Sequence, residues 1–220
     1  MKGIYGFLHA ILAPPFKLIF NIRIKGAENE PAKSEGAYLI CSNHMSAWDP
    51  VWLAAAMRRQ QPHFMAKAEL FKIPLLRGLI RALGAYPVNR GVADISSMKH
   101  TIELLKNGSC VGMFPQGTRR RGVNPLDTPI KSGVGMLAVK SGVQVLPVFI
   151  ETKKFKSSAF VRKNIIIGKP IPASKIAEMH ETGADYSAVS RYIFDEICAL
   201  GGLVRSDLSA EGDNEAISKQ

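Results

Sequence analysis

The chain has 220 residues, of which 46% are hydrophobic, and a formal net charge of +11. This length is enough for one domain with a full core, which excludes a small scaffold that depends on disulfides or structural metals. The positive charge favours an anionic partner: nucleic acid, acidic lipid headgroups, a phosphorylated substrate or an acidic carrier protein. Charge alone does not select among these classes.

Residues 1–20 are mostly apolar but contain no run of about eighteen apolar residues, so we expect no conventional transmembrane helix. Pro14 and Pro15 interrupt the segment and would split a helix into two short pieces. A secretory signal is not expected, because no small-residue cleavage site follows. We interpret residues 1–20 as two apolar helices on a membrane face, and packing of these helices on the domain's own core is the alternative.

Short apolar segments rich in β-formers recur along the rest of the chain, and longer helical patterns separate most of them. This alternation predicts an α/β fold: a single domain with a central, mostly parallel sheet flanked by helices. The predicted strands are 22–26, 37–42, 84–88, 109–114, 144–150 and 163–168. Apolar residues three or four apart predict helices over 94–106, with Asp94 as the N-cap, and over 186–200.

The three cysteines, Cys41, Cys110 and Cys198, are widely spaced and lie in apolar runs. Their odd number and their spacing fit reduced thiols in a cytosolic compartment. No cluster of cysteine and histidine suggests a zinc site, so we expect no metal.

His44 precedes Asp49 by five residues, a spacing that turns the two side chains about 140° apart on an ideal helix. They meet only if a turn separates them. A buried strand over 37–42 and a capping box over 46–49, followed by Pro50, predict that turn. His44 then lies at the carboxyl end of a strand, where α/β proteins place their sites.

A neutral imidazole, with an ordinary pKa of about 6.5, accepts the proton of an attacking alcohol, and an aspartate on its other nitrogen stabilises the imidazolium. The alternative is that Asp49 merely caps a helix and His44 merely binds a loop carbonyl. Cys41 or Ser46 as a nucleophile is a further alternative, although the chain has no GxSxG elbow.

Residues 115–119 leave the end of another predicted strand and have the composition of an anion site. Gly117 allows close backbone approach, Thr118 donates a hydroxyl and Arg119 offers a guanidinium fork. Arg90 follows a further strand and is a candidate for the same site. Arg120 and Arg121 add charge, and a solvated basic loop is the alternative for these two.

Four ordered segments resemble the motifs of the 1-acylglycerol-3-phosphate acyltransferase family, and the likeness extends over about residues 20–170. They are Asn43-His44-x4-Asp49, 84–90, 114–119 and 146–148. The resemblance implies that His44 is the general base and Asp49 its orienting partner. It also implies a phosphate site made by Gly117, Thr118, Arg119 and Arg90, and a donor-side surface shaped by Pro147.

Members of that family act at the cytoplasmic membrane surface. They transfer an acyl chain from coenzyme A or acyl carrier protein to the 2-hydroxyl of lysophosphatidic acid, forming phosphatidic acid. The resemblance implies no metal and no cofactor, since the acyl thioester is a co-substrate. The expected partners are an anionic membrane surface, a lysophospholipid and acyl-CoA or acyl carrier protein, with no nucleic acid. The expected location is the cytoplasmic side of the cell membrane, peripheral or monotopic.

We expect three regions: a membrane-docking helical segment over 1–20, an acyltransferase domain over 21–202 and a flexible polar tail over 203–220. One position departs from the family, because Gln116 stands where glutamate is usual. Gln116 is a candidate for contacts to the glycerol hydroxyl, but it lacks the charge. A lysophospholipid with another headgroup, a lyso-aminolipid, and a non-catalytic lipid-binding module therefore remain alternatives.

A glycine pattern over 133–138 formally matches the dinucleotide motif GxGxxA. The preceding residues make a poor strand, so we interpret these glycines as positions of tight helix packing.

Overall fold

In a computed structural model, residues 3–89, 94–156 and 160–205 are described. Within these ranges one sheet has the strand order β1-β7-β6-β2-β5-β3-β4. Its strands are β1 Ile22–Lys25, β2 Tyr38–Ser42, β3 Pro62–Lys67, β4 Ala85–Val88, β5 Cys110–Met113, β6 Gln144–Glu151 and β7 Lys163–Ile167. β6 and β7 pair antiparallel, and the other neighbours pair parallel. The predicted α/β fold with a mostly parallel sheet is confirmed.

Helices cover both faces of the sheet. They are α1 Gly3–Ile19, α2 Asp49–Ala56, α3 Pro74–Ala82, α4 Ile95–Lys106, α5 Gly133–Ser141, α6 Ala173–Glu181 and α7 Tyr186–Leu200. α4 and α7 confirm the two helices predicted from spacing, and Asp94 caps α4 by accepting a hydrogen bond from the Ser97 N–H. The carboxylate takes up one of the backbone donors that a helix start leaves unpaired.

Alternation along the central strands divides the core into two layers. In β2, Leu39 and Cys41 pack with residues of α5, α6 and α7, while Tyr38 and Ile40 pack with residues of α2. All five residues of β2 are buried, as expected for a parallel strand covered on both faces. The carboxyl end of β2 therefore lies between the two core layers, at the edge of the sheet.

Each predicted strand segment contains an observed strand, but the sequence did not predict β3. This strand reads PHFMAK, begins with proline and ends with lysine, and contains no β-branched residue. Its pairing with β4 and β5 holds it in the sheet, so tertiary context outweighs a weak local preference.

α1 is one continuous helix through Pro14 and Pro15, so the prediction of two short helices is wrong. Both prolines are exposed. The carbonyls that lose their helical donors therefore face away from the core, which limits the cost of the missing hydrogen bonds. The opposite side of α1 packs on α2, where His9 Nε2 lies 3.1 Å from the Ala54 carbonyl oxygen.

Among the described residues, no helix combines the length and apolar character needed to cross a bilayer. The predicted docking of residues 1–20 on a membrane stays a prediction. Of the predicted tail, residues 203–205 lie against the domain, where Arg205 Nε donates to Asp195 Oδ1 at 3.2 Å. Residues 206–220 lie outside the described residues.

Gly135 of α5 permits close packing against α7. The Gly135 N–H donates to Ser190 Oγ at 2.7 Å, and a Cβ at position 135 would lie 2.1 Å from the Tyr186 carbonyl oxygen. This contact confirms the packing interpretation at Gly135, whereas a Cβ at Gly133 would have ordinary contacts only.

We predict that Gly135→Ala lowers the free energy of unfolding by about 1–3 kcal/mol, because the added methyl group forces α5 and α7 apart. Gly133→Ala is the matched control in the same helix. A Cβ there meets its nearest atoms at an ordinary 3.5 Å, so the better helix propensity of alanine leaves stability unchanged or raised by up to about 1 kcal/mol. Chemical denaturation measures both variants, and equal effects would contradict the packing argument.

Candidate active site

The loop from β2 to α2 places His44 at the carboxyl end of a central strand. β5 is the neighbour of β2, with Cys41 opposite Met113, so the loop that follows β5 leaves the sheet beside His44. Two segments that are about seventy residues apart in the sequence thus meet at one edge of a parallel sheet.

His44 and Asp49 are both buried and form the predicted pair. His44 Nδ1 lies 2.8 Å from Asp49 Oδ2. The same oxygen accepts hydrogen bonds from the Met45 N–H at 2.6 Å and the Ser46 N–H at 2.7 Å. A carboxylate only accepts, so it holds the proton of a neutral imidazole on Nδ1 and leaves Nε2 as the basic nitrogen.

The backbone of His44 is held from both sides. Its N–H donates to Gln116 Oε1 at 2.6 Å, and its carbonyl accepts from the Arg120 N–H at 2.8 Å. The imidazole ring stacks on Phe114, with centroids 4.0 Å apart and planes 16° from parallel. The loop after β5 therefore fixes both the main chain and the ring of His44.

Gln116 is buried and, unlike His44, borders neither of the two cavities beside the imidazole. It is 2% exposed, and its Nε2 donates to Thr128 Oγ1 at 2.8 Å. The Thr128 hydroxyl in turn donates to the Pro125 carbonyl at 2.6 Å. Both the oxygen and the nitrogen of the amide are therefore hydrogen-bonded inside the protein. Gln116 connects the His44 backbone to Thr128.

Asn43 has a structural role that the sequence reasoning did not assign. Its Nδ2 donates to the Ile150 carbonyl at 3.0 Å, and its Oδ1 accepts from the Ile150 N–H at 2.8 Å. The side-chain amide thus continues the pairing of β2 with β6 by one position and fixes where the loop begins. The signal in the sequence was an asparagine directly after a buried strand.

A cavity of about 350 Å³ opens beside His44. Apolar side chains from α2, β3 and α3 form most of its wall, and Lys67 and Arg119 also line it. A second cavity of about 140 Å³ contains His44, Phe114 and Gly117. The imidazole therefore lies between a mainly apolar cavity and the loop that carries Gly117 and Arg119.

The structure brings part of the predicted anion site together. Gly117, Thr118 and Arg119 are exposed on the loop beside His44. Gly117 has a φ of 67°, in the left-handed region that favours glycine, and its N–H donates to the Phe114 carbonyl at 2.9 Å. Arg119 borders the larger cavity, and Arg90 lies outside the described residues.

Pro147 is not brought to this site. It lies in the middle of β6 between Leu146 and Val148, whose side chains pack on the α2 side of the sheet. Pro147 consequently faces the other layer, near Leu200 of α7, and it borders neither cavity that contains His44. The predicted role on the acyl-donor side has no direct contact to support it.

The alternative nucleophiles are poorly placed. Cys41 is fully buried, and burial raises the pKa of its thiol. Ser46 Oγ accepts a hydrogen bond from the Trp48 N–H at 3.2 Å, which is a turn contact.

Among the described residues, no group of three histidine, cysteine, aspartate or glutamate side chains is arranged to hold a metal ion.

Comparisons with known proteins identify the family of the chain. The Acyltransferase family model matches residues 21–151. The chain is 29% identical over 168 residues to the 1-acyl-sn-glycerol-3-phosphate acyltransferase of Streptococcus pneumoniae, a match that covers 75% of this chain and 61% of the relative. The enzyme of that name from Bacillus subtilis is 29% identical over 178 residues, with 78% of this chain and 86% of the relative covered.

The crystal structure of the 1-acyl-sn-glycerophosphate acyltransferase PlsC from Thermotoga maritima is similar over 92% of this chain and 82% of that chain. The TM-score is 0.64 and the sequence identity is 25%. The range that matches the family model, residues 21–151, extends over more than half of the protein. The chain belongs to the acyltransferase family.

Proposed function

We propose that the chain is a 1-acylglycerol-3-phosphate O-acyltransferase of phospholipid biosynthesis. It moves an acyl chain from a thioester of coenzyme A or acyl carrier protein to the 2-hydroxyl of 1-acylglycerol-3-phosphate and forms phosphatidic acid. The observation that carries the proposal is the His44–Asp49 pair, 2.8 Å apart, beside an apolar cavity that also reaches Arg119. The names of the relatives support the same acceptor.

His44 acts as the general base. As the acceptor hydroxyl oxygen bonds to the thioester carbonyl carbon, its proton passes to Nε2 of His44. The carbon–sulfur bond then breaks, and the imidazolium returns the proton to the leaving thiolate. Asp49 stabilises the imidazolium through the 2.8 Å contact to Nδ1. The reaction needs no protein nucleophile, because a thiolate is already a good leaving group, and the family resemblance implies no metal and no cofactor.

Substrate binding divides between the two kinds of wall around His44. Arg119 binds the acceptor phosphate together with Gly117 and Thr118, and Arg90 is proposed for the same role from the resemblance alone. The apolar part of the 350 Å³ cavity takes hydrocarbon from the acyl chain.

Gln116 acts as a positioning residue. Its buried amide bonds to the His44 backbone and to Thr128, and it borders neither cavity that contains His44, so the absence of glutamate here gives no reason to favour another headgroup. A different lysophospholipid or a lyso-aminolipid is therefore a less supported acceptor than 1-acylglycerol-3-phosphate.

We place the protein on the cytoplasmic side of the cell membrane. The outer side of α1 supports this location, because Phe7, Ile11 and Leu18 are all more than half exposed and Leu18 reaches 83%. Such an apolar helix face, beside a net positive domain, fits the interface of an anionic bilayer.

We predict that His44→Ala lowers kcat at least about 100-fold, the usual contribution of a general base, and leaves vesicle association unchanged. His100→Ala is the control, because His100 is an exposed histidine on α4. Product formation and vesicle sedimentation are measured on the same preparations. A non-catalytic lipid-binding module would show no turnover in the unsubstituted protein and no loss in the variant.

We predict that Arg119→Ala raises KM for 1-acylglycerol-3-phosphate at least about tenfold with a smaller effect on kcat, because a charge-assisted contact to phosphate is lost. Arg121→Ala removes an exposed arginine two residues away and serves as the matched control. Steady-state kinetics with varied acceptor separates the two constants. A loss confined to kcat would overturn the phosphate assignment.

We predict that Gln116→Glu lowers the free energy of unfolding by about 1–3 kcal/mol, because a carboxylate would face Thr128 Oγ1 with two acceptors and no donor. It also lowers kcat and leaves KM for the acceptor unchanged. Thermal unfolding and kinetics on the same variant test this. Unchanged stability with an altered acceptor KM would show that the residue at position 116 meets substrate.

A further inference from the structure

α3 is an unusually exposed helix for a member of a packed domain. None of its residues is buried. Leu75 is 93% exposed and Leu79 is 59% exposed, and Ile73, just before the helix, is 50% exposed. Large apolar side chains at this exposure, grouped on one short segment, mark a surface that meets a partner.

The apolar face of α3 is wider than the part that the domain covers. At about 100° per residue, Leu76, Ile80 and Leu83 share one side, and these are less exposed than their neighbours Leu75 and Leu79. Ile80 and Leu83 line the cavity beside His44. Leu75 and Leu79 lie on the adjoining part of the same face, where the domain does not cover them and they are exposed to solvent.

Basic side chains lie on the other side of α3, because about 100° per residue places Arg77 and Arg81 roughly 160° away from Leu75 and Leu79. Lys72, Arg77 and Arg81 are exposed, and the Arg81 guanidinium carbon lies 5.9 Å from the centroid of the Phe71 ring. The acidic residue of the segment, Glu69, forms an ion pair with Lys67 at 3.1 Å. An exposed apolar strip on one side of a helix, with basic side chains on the other, is the pattern of a helix that lies in the interface of an anionic bilayer.

We propose that α3 is a second lipid-binding element, separate in sequence from α1, which inserts Leu75 and Leu79 into the surface of an anionic membrane. Leu70, Ile80 and Leu83 connect this surface to the cavity of His44, so hydrocarbon passes from bilayer to cavity along an apolar wall. The use of the cavity rests on the proposed function, whereas the lipid contact itself does not.

The first experiment measures sedimentation of the full chain with vesicles of phosphatidylcholine and phosphatidylglycerol. The double variant Leu75→Ser with Leu79→Ser should bind at least about tenfold more weakly, since two apolar side chains are lost from the interface. Ile95→Ser with Val204→Ser removes two apolar side chains of similar exposure elsewhere, 65% and 61%, and should bind as the unsubstituted chain does. Equal binding by all three proteins would overturn the proposal.

The charge of the segment is tested separately. Arg77→Gln with Arg81→Gln should weaken binding to these vesicles by about fivefold per charge and should leave binding to phosphatidylcholine alone unchanged. Lys99→Gln with Lys106→Gln on α4 is the matched control. Equal losses in the two pairs would show a general charge effect and would contradict a specific role of α3.

A labelled side chain reports the contact directly. The native cysteines are buried, and burial raises the pKa of Cys110 and of Cys198 to about 12, so a polarity-sensitive thiol dye selects an introduced cysteine. With Leu75→Cys the emission should shift to the blue when anionic vesicles are added, and with Ile95→Cys it should not. No shift at position 75, or an equal shift at both positions, would overturn the proposal.

These measurements separate the lipid contact from the enzyme activity. His44→Ala placed in each protein removes turnover and should leave every vesicle result unchanged, so failure of the proposed reaction does not alter the outcome. A second copy of the chain is the other possible occupant of this face, and light scattering without vesicles measures whether the protein forms such a dimer. If the unsubstituted chain forms a dimer that the Leu75→Ser and Leu79→Ser changes abolish, and vesicle binding is the same, the face joins two copies and the proposal is wrong.

Discussion

One carboxylate oxygen holds the site together. Asp49 Oδ2 accepts from the imidazole of His44 and from the backbone N–H groups of Met45 and Ser46, all within 2.8 Å. The loop between β2 and α2 therefore folds around the Asp49 carboxylate. The same hydrogen bonds fix the conformation of this loop and the tautomer of His44. A side chain that only capped α2 would not need the imidazole, so the arrangement favours the catalytic interpretation over the capping alternative.

The parallel sheet brings the second half of the site to this loop. β2 and β5 are neighbours, and the segment that leaves β5 supplies the ring beneath His44, the amide that holds its N–H and the arginine that borders its cavity. The apolar wall comes instead from α2, β3 and α3, on the other side of the imidazole. The proposed base, the proposed anion-binding loop and the apolar cavity thus meet at His44, as the joining of a charged acceptor to a fatty acyl thioester would require.

The sequence predicted the features that depend on local patterns. The strand before His44, the turn that lets Asp49 reach it, and the N-cap of α4 follow from spacing and residue type. The features it did not predict depend on contacts distant in the chain. Gln116 is buried because Thr128 and the His44 backbone meet it, Pro147 faces away because of its strand register, and α1 continues through Pro14 and Pro15 because these residues are exposed. β3 forms because two neighbouring strands pair with it.

The central claim is that the pocket joins a fatty acyl thioester to the free hydroxyl of a phosphorylated glycerolipid. The most direct measurement offers the purified protein an isotopically labelled acyl thioester with a panel of lysolipids that differ in headgroup, and identifies the products by mass spectrometry. The account predicts phosphatidic acid, with the label at the 2-position, as the dominant product. Preferential acylation of a lysolipid without the phosphomonoester group, or no acylated lipid of any kind, would contradict it.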